Sequence, residues 1–315
     1  MASQKVPSSS KVAAGLFNPL VFKRLTQSWK AEELIPFLKE RYSQLEKLLG
    51  VSFLHFVPIS KILPTPNELD LWRKKREKEN LKAFIGQDYS IQINGIKEEL
   101  ILGDVVSSGY VDLKSFLSAA TEYFHHFLID EVFSFADFIP SEKPVYKGVY
   151  YDGVIFCEGF HVQQNPYFSF IPFKPVNGDV LSVIIPSYDY SKTLNKNFFL
   201  LPFGDGTYRL GATYNWDNLV FEPSETAKAD LLKRVKEFVE GDVKVLQHEA
   251  GVRPSCADRR PVLGPHPVYK NLFIFNGLGT KGVMLAPYFA KQMGEFLVNE
   301  KPLEHEVSVQ RFYNL

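Results

Sequence analysis

The densest run of chemically suggestive residues is Gly251-Val252-Arg253-Pro254-Ser255-Cys256-Ala257-Asp258-Arg259-Arg260-Pro261-Val262-Leu263-Gly264. Prolines and glycines pin its backbone, and arginine and aspartate occur among them. An arginine beside a proline suits bidentate capture of a carboxylate, because the guanidinium fork matches the two oxygens. Arg253 can do that or brace a loop through an Arg–Asp pair; for Arg259 and Arg260 bracing is the simpler expectation. Two other candidate constellations dissolve on inspection. His125-His126 are adjacent, so on a helix they point about 100° apart and cannot share a metal. Cys157 and Cys256 form no metal-type cluster, and two thiols are too few for a disulfide framework. No Ser-His-Asp or paired-carboxylate pattern stands out.

Gly277-Leu278-Gly279-Thr280-Lys281-Gly282 follows an apolar strand, opens a helix and matches G-x-G-x-x-G. As a dinucleotide fingerprint it lacks room: about thirty residues remain, barely enough for a helix and one strand. Glu300 and Glu304 follow that helix directly instead of ending a buried strand. A tight turn for helix–strand packing is a second reading. A third keeps the physics and changes the ligand, since glycines let backbone approach a flat ring closely. Free N–H groups at the start of the next helix would then stabilise negative charge, such as a reduced flavin carries at its pyrimidine end. Near the chain start, Ser8-Ser9-Ser10-Lys11-Val12-Ala13-Ala14-Gly15-Leu16-Phe17-Asn18-Pro19 is small-residued and irregular, which also permits main chain to lie against a ligand.

The elements that must hold these segments are readable from periodicity. Leu34, Leu38, Tyr42, Leu45 and Leu49 recur at spacings of three and four, so 30–49 is expected as a helix ended by Gly50, with Pro36 near its start or at a kink. A strand is expected over 51–63 and a charged surface helix over 67–84. Short strands at 91–93 and 100–102 flank Asn94-Gly95, a hairpin signal. Asp112 is a plausible cap for a helix to Phe127 with Leu113, Phe116, Leu117, Ala120 and Phe124 on its apolar stripe. Val154 to Cys157 suits a buried strand. A β-rich stretch follows, with a strand over 180–185 and a hairpin of 198–202 and 208–214 around Gly204-Asp205-Gly206. A helix over 225–239, a strand over 272–275 and a helix over 283–297 complete the chain. This order implies a mixed α/β (α+β) fold of two interleaved lobes.

Composition excludes several classes. The 36 basic and 36 acidic side chains cancel, so no net field draws the protein to nucleic acid or anionic lipid. No run approaches the ~18 apolar residues of a spanning helix. The basic, serine-containing start loosely imitates a transit peptide, and the apolar run from Val12 to Phe22 loosely imitates a signal core. Asn18-Pro19 interrupts the latter and no small-residue cleavage site follows, so the expected location is the cytoplasm.

Taken in order, these segments resemble the family of D-amino-acid, glycine and sarcosine oxidases. Ser8 to Pro19 resembles the family's flavin-contacting turn, and Gly109-Tyr110-Val111-Asp112 its Gly-x-Val-Asp helix entry. Phe156-Cys157-Glu158-Gly159 is similar to the strand end that returns to the cofactor. Gly251 to Gly264 resembles the segment with the substrate-carboxylate arginine, and Gly277 to Pro287 the C-terminal flavin-ring motif. The resemblance implies FAD and oxidation of a C–N bond in a small-molecule amine or amino acid, with hydride passing to the flavin and the resulting imine hydrolysed by water. It assigns cofactor contacts to Ser9, Ser10, Lys11, Ala13, Ala14, Gly15 and Leu16, to Gly159, and to Gly277, Gly279, Thr280, Lys281, Gly282, Val283 and Met284. It assigns substrate binding to Arg253 and Lys281.

Departures from the family pattern shape the expectation further. The strand–GxGxxG–helix–strand that precedes the Ser-Ser turn in the family has no counterpart before Ser8. The fold expected is therefore an incomplete Rossmann-like FAD-binding lobe (1–50, 145–165 and 245–315) interleaved with an antiparallel-sheet substrate lobe (51–144 and 166–244). Leu278 and Thr280-Lys281 stand where some relatives place histidine and arginine, and Cys256 does not match the cysteine that carries covalent flavin in sarcosine oxidases. A rival reading is a truncated or non-catalytic member of the same fold that does not retain FAD.

Overall fold

The computed structural model describes residues 8–217 and 219–313. One helical turn, α1 (Ser9–Val12), leads into the two-residue strands β1 (Leu16–Phe17), β2 (Leu20–Val21) and β3 (Thr26–Gln27). Helix α2 (Ala31–Leu49) follows the expected spacing: Leu34, Leu38 and Tyr42 are buried, and Gly50 closes it at φ 69° in the left-handed region. The run expected as one strand over 51–63 is divided into β4 (Leu54–His55) and β5 (Ile59–Ile62), which join different sheets. Pro58 lies between them and has no N–H for a ladder.

Helix α3 (Pro66–Arg76) is capped by Thr65 and stops well short of Phe84. Strands β6 (Ile85–Ile91) and β7 (Leu100–Val105) pair antiparallel with Ile91 opposite Leu100. Asn94-Gly95 is thus part of a longer connection, not a two-residue hairpin. A Cβ on Gly95 would lie 2.2 Å from the Ser187 carbonyl oxygen, so tertiary packing dictates that glycine. Strand β8 (Gly109–Val111) enters α4 (Leu113–Tyr123), and the Asp112 carboxylate accepts from the Lys114 and Ser115 N–H groups as the cap.

None of the α4 residues is fully buried. Large exposed apolar side chains continue through Phe124, Phe127, Ile129 and Val132 into β9 (Phe138–Ile139), β10 (Val145–Tyr146) and β11 (Val149–Tyr150). Exposed apolar surface on this scale favours association. The chain is expected to bind an apolar dye such as ANS, and Phe127→Ser with Ile129→Ser to reduce that signal. Unchanged dye fluorescence in the double variant would contradict this.

Strand β12 (Val154–Phe156) is followed by the 3-10 turn Gly159–Gln164 and then the long β13 (Val176–Ile184). Strands β14 (Thr193–Asn195), β15 (Phe199–Pro202) and β16 (Tyr208–Gly211) precede α5 (Glu225–Lys236), whose cap Ser224 accepts from the Ala227 N–H. The last elements are β17 (Lys244–Arg253), β18 (Val262–Pro265), β19 (Leu272–Asn276) and α6 (Gly282–Asn299).

Two sheets organise the molecule. The larger has the order β17-β13-β16-β15-β14-β5-β7-β6. The smaller has the order β12-β19-β18, with β12 and β19 parallel and β12 at its edge. Side chains alternate across the large sheet. Leu181, Leu194, Leu200 and Leu210 pack with Leu231 and Val235 of α5 on one face. Their neighbours Val180, Thr193, Asn195 and Phe199 line a cavity on the other. The boundary expected at 245 falls inside β17, whose length pairs with β13 in the large sheet. No helix among the described residues is long and apolar enough to cross a membrane.

Candidate functional site

The cavity has a volume of about 770 Å³, within the range of small-molecule and cofactor sites. Four segments distant in sequence converge on it, and each is held by local structure. The first is the turn from Ser8 to Asn18. Its α1 lies on β17, where a Cβ on Gly251 would sit 3.3 Å from the Val12 Cβ. Arg209 fixes that contact. It donates to the Val12 carbonyl at 2.7 Å, to Glu249 Oε2 at 2.7 Å and to Ser182 Oγ at 2.8 Å. Gly15 is required for a different reason: its φ is 71°, and a Cβ there would lie 1.9 Å from the Val111 carbonyl oxygen of β8.

The second and third segments are the end of β12 and the turn after β19. Asn276 joins them by donating to the Gly159 carbonyl at 2.9 Å. A Cβ on Gly159 would meet nothing within 4 Å, and one on Gly282 only the Leu278 Cβ at 3.7 Å. Space rather than protein packing therefore faces both glycines. Helix α6 begins at Gly282 with no side-chain cap, continuing directly from the 3-10 turn Gly279–Lys281, and both line the cavity wall. Cys157 lines the same wall, its side chain open to the cavity, and the surrounding protein pushes its thiol up to about 11 by desolvation. Burial also raises the Glu158 carboxyl, although Asn165 Nδ2 donates to it at 2.7 Å.

The fourth segment carries Arg253. Its guanidinium passes over Gly178, where a Cβ would lie 2.2 Å from Nη1. It stacks on Tyr214 with the central carbon 4.8 Å from the ring centroid. Among the described residues Nη1 reaches two carbonyl oxygens, those of Asn177 at 3.4 Å and Thr213 at 3.5 Å, longer than ordinary N–H···O bonds. Among the described residues no carboxylate lies within ion-pair distance of it. The nearest candidate, Asp179, is occupied by His248 Nε2 at 2.9 Å, Thr213 Oγ1 at 3.1 Å and the Ser224 N–H at 3.0 Å. Burial lowers the guanidinium from its ordinary value, partly offset by Tyr214 and Asp179. A cation so placed, without an ion-pair partner among the described residues, has donors left with which to accept an anion.

A family model described as FAD dependent oxidoreductase matches residues 112–296, more than half of the chain. The chain belongs to this family of FAD-dependent oxidoreductases. It is 27% identical to a glycine oxidase of Bacillus licheniformis over 129 residues, which is 40% of this chain and 35% of that protein. It is 26% identical to the glycine oxidase of Bacillus subtilis over 132 residues, 41% of this chain and 36% of that protein. The match thus spans about a third of the length of these curated relatives. Among solved structures, iminodiacetate oxidase from Chelativorans sp. BNC1 superposes with a TM-score of 0.79 at 16% identity, covering 97% of this chain and 91% of that one. Glycine oxidase from Geobacillus kaustophilus gives 0.75 at 19% identity, covering 96% and 87%. At these identities the superpositions establish the shared fold.

Ser9, Ser10, Ala13, Ala14, Gly15 and Leu16 line the cavity, as do Gly159 and Arg253. Gly279, Thr280, Gly282, Val283 and Met284 line it from the α6 side. Lys11 does not; its side chain is exposed at the surface. Gly277 does not either. Its Cβ would lie 3.0 Å from the Arg260 carbonyl and 3.2 Å from Val262, so it permits packing on the strand beside it. Cys256 is buried, with Sγ 3.7 Å from the Pro172 carbonyl oxygen, and is not part of the cavity wall.

Lys281 contributes to the wall, but its ammonium is already committed. It donates to the Asn18 and Leu20 carbonyls at 3.1 and 3.3 Å and to Ser28 Oγ. Three donors meet three acceptors, leaving none for a substrate carboxylate; the lysine ties the start of α6 to the early turn. Burial lowers its pKa to about 8, below the unfolded value of 10.5. The unfolded chain therefore binds more protons between these values, and stability rises with pH across that window. Urea unfolding at pH 8 and pH 10 should show this slope, and Lys281→Met should flatten it. An unchanged slope in the variant would exclude Lys281 as its source.

Several wall residues carry no sequence signal. Thr193 and Asn195 flank Leu194 in a polar–apolar–polar pattern that ordinarily marks a solvent-facing strand surface. Only the tertiary fold reveals that this face looks into the cavity. Phe160, His161 and Phe221 cluster at the wall, with His161 and Phe221 stacked at 5.9 Å. Nothing local distinguishes them from core aromatics in a Phe-rich chain.

Proposed function

We propose that this chain forms the ring-binding and substrate-binding end of an FAD-dependent enzyme that oxidises a C–N bond of a small amine or amino acid. The observation that carries the reading is Arg253, a desolvated guanidinium in a cofactor-sized cavity without a carboxylate of its own. The names of the relatives support it, because glycine and iminodiacetate are both carboxylate-bearing amines. The residues present fit a flat ring: Gly159 and Gly282 leave open space on the cavity wall, and the positive dipole end of α6 lies at that wall. FAD, when bound, supplies the acceptor for a hydride from the substrate carbon.

The chain's own residues do the rest. Ala13 to Leu16 and Gly279 to Met284 hold the ring from two sides. Arg253 orients the substrate through a bidentate contact, which sets the C–H bond toward the ring. The phenyl, tyrosyl and alanyl side chains of the wall exclude water. In this reading 1–50, 145–165 and 245–315 serve the cofactor and 51–144 with 166–244 the substrate, β17 contributing Arg253 from the sheet shared by both, and the protein works in the cytoplasm on a small molecule. The test compares an amino acid with its methyl ester in a dye-reduction assay on the FAD-supplemented protein. The acid should turn over much faster, and equal rates would contradict the proposal.

A further inference from the structure

Four aromatic side chains line the cavity without being packed away: Tyr214, Phe221, Phe160 and His161. Tyr214 is 53% exposed, and the other three are half-buried. They come from two segments. Tyr214 and Phe221 belong to the connection from β16 to α5, whose ends are clipped together by one carboxylate. Asp179 accepts from Thr213 Oγ1 at 3.1 Å and from the Ser224 N–H at 3.0 Å. It follows Gly178, the residue beneath the Arg253 guanidinium, and Tyr214 itself stacks on that guanidinium. The connection therefore springs from the Arg253 side of the cavity.

Phe160 and His161 belong to the 3-10 turn Gly159–Gln164, on the cofactor side. Asn276 Nδ2 holds that turn by donating to the Gly159 carbonyl at 2.9 Å. The two segments meet ring to ring. The Phe221 centroid lies 5.4 Å from that of Phe160, edge to face, and 5.9 Å from that of His161, stacked. The cluster thus bridges the wall that holds the flavin ring in the reading above and the wall that carries Arg253. A substrate with its carboxylate on Arg253 and its reacting carbon at the ring has its remaining substituent between those two walls. Among the described residues, carboxylates and ammonium groups on the cavity wall are limited to Glu158 and Lys281. Glu158 accepts from Asn165 Nδ2 at 2.7 Å, and three acceptors occupy the Lys281 ammonium. What the bridge offers is ring area, which binds apolar and aromatic groups.

We propose that Phe221, Phe160, His161 and Tyr214 form a side-chain subsite, and that the ligand whose carboxylate Arg253 holds carries an aromatic or bulky apolar group. The chain then differs from the relatives named for glycine and iminodiacetate, neither of which has such a group. The inference rests on the carboxylate reading of Arg253 given above, and the test separates the two. Binding of phenylpropanoate and of propanoate to the FAD-supplemented protein is measured by calorimetry. Both acids offer the same carboxylate, and neither has an amine to oxidise. Phenylpropanoate should bind roughly 20-fold tighter.

Phe221→Ser and His161→Ser alter one segment each and spare Tyr214, which touches Arg253. Thermal midpoints check that the variants fold, and either one suffices for the test. Each should cut the phenyl advantage severalfold and leave the affinities for propanoate and FAD unchanged. Arg253→Gln should weaken both acids by a similar factor. A phenyl advantage that is missing in wild type, or retained in full by the ring variants, would overturn the subsite. Loss of FAD affinity in those variants would also overturn it, by setting the rings against the cofactor. Unaltered binding of both acids in Arg253→Gln would instead overturn the carboxylate reading.

Discussion

Arg253→Ala is expected to raise the KM for a carboxylate-bearing amine on the order of 100-fold, while the KM for a neutral amine of the same skeleton hardly moves. The size follows from losing one partner of a desolvated, charge-assisted pair, which ordinarily costs 30-fold or more, roughly. The fold should tolerate the change. Among the described residues the guanidinium makes two long contacts, to the Asn177 and Thr213 carbonyls, and stacks on Tyr214. Removing it also removes a buried cation, so thermal stability should fall little. Arg253→Lys keeps the charge and loses the fork, and should lie between wild type and alanine. Equal effects on acid and neutral amine would show that Arg253 braces the sheet instead of holding substrate.

Gly15→Ala should have the largest effect on folding. The added Cβ would lie 1.9 Å from the Val111 carbonyl oxygen, and φ 71° is strained for any L side chain. Val111 and Gly15 are also joined by the bond from the Val111 N–H to the Gly15 carbonyl at 3.0 Å. Urea unfolding should show a loss of roughly 3 kcal/mol or more. Gly282→Ala provides the contrast, because its Cβ meets only Leu278 at 3.7 Å. That variant should keep its stability and lose affinity for FAD. Wild-type stability in Gly15→Ala would mean that the early turn is not held against β8 as described.

Residues whose role is local were legible from sequence, and those whose role is tertiary were not. The Asp112 cap, the Gly50 terminus and the Gly204-Asp205-Gly206 hairpin follow from short-range rules and stand where periodicity placed them. The ordered motifs pointed to the family that the family model identifies. Gly15 and Gly277 carry positive φ as glycine-rich turns suggest, yet neighbouring backbone explains their lack of a side chain as fully as any ligand. Lys281 looked like a substrate contact by its place in the motif. Only the fold shows Asn18, Leu20 and Ser28 around its ammonium, more than 250 positions away in the chain. Thr193 and Asn195 are ordinary strand residues until the cavity floor is assembled.

In the proposed reading the cavity between the two sheets holds a flavin ring with Arg253 at its substrate side. Titrating the purified chain with FAD, following the visible flavin bands, and then adding a carboxylate-bearing amine without oxygen tests it most directly. Binding should be saturable, stoichiometric and weaker in Gly282→Leu, and the amine should bleach the bands in wild type but far more slowly in Arg253→Ala. A protein that stays colourless in excess FAD, or whose bound flavin bleaches at the same rate without Arg253, would contradict it.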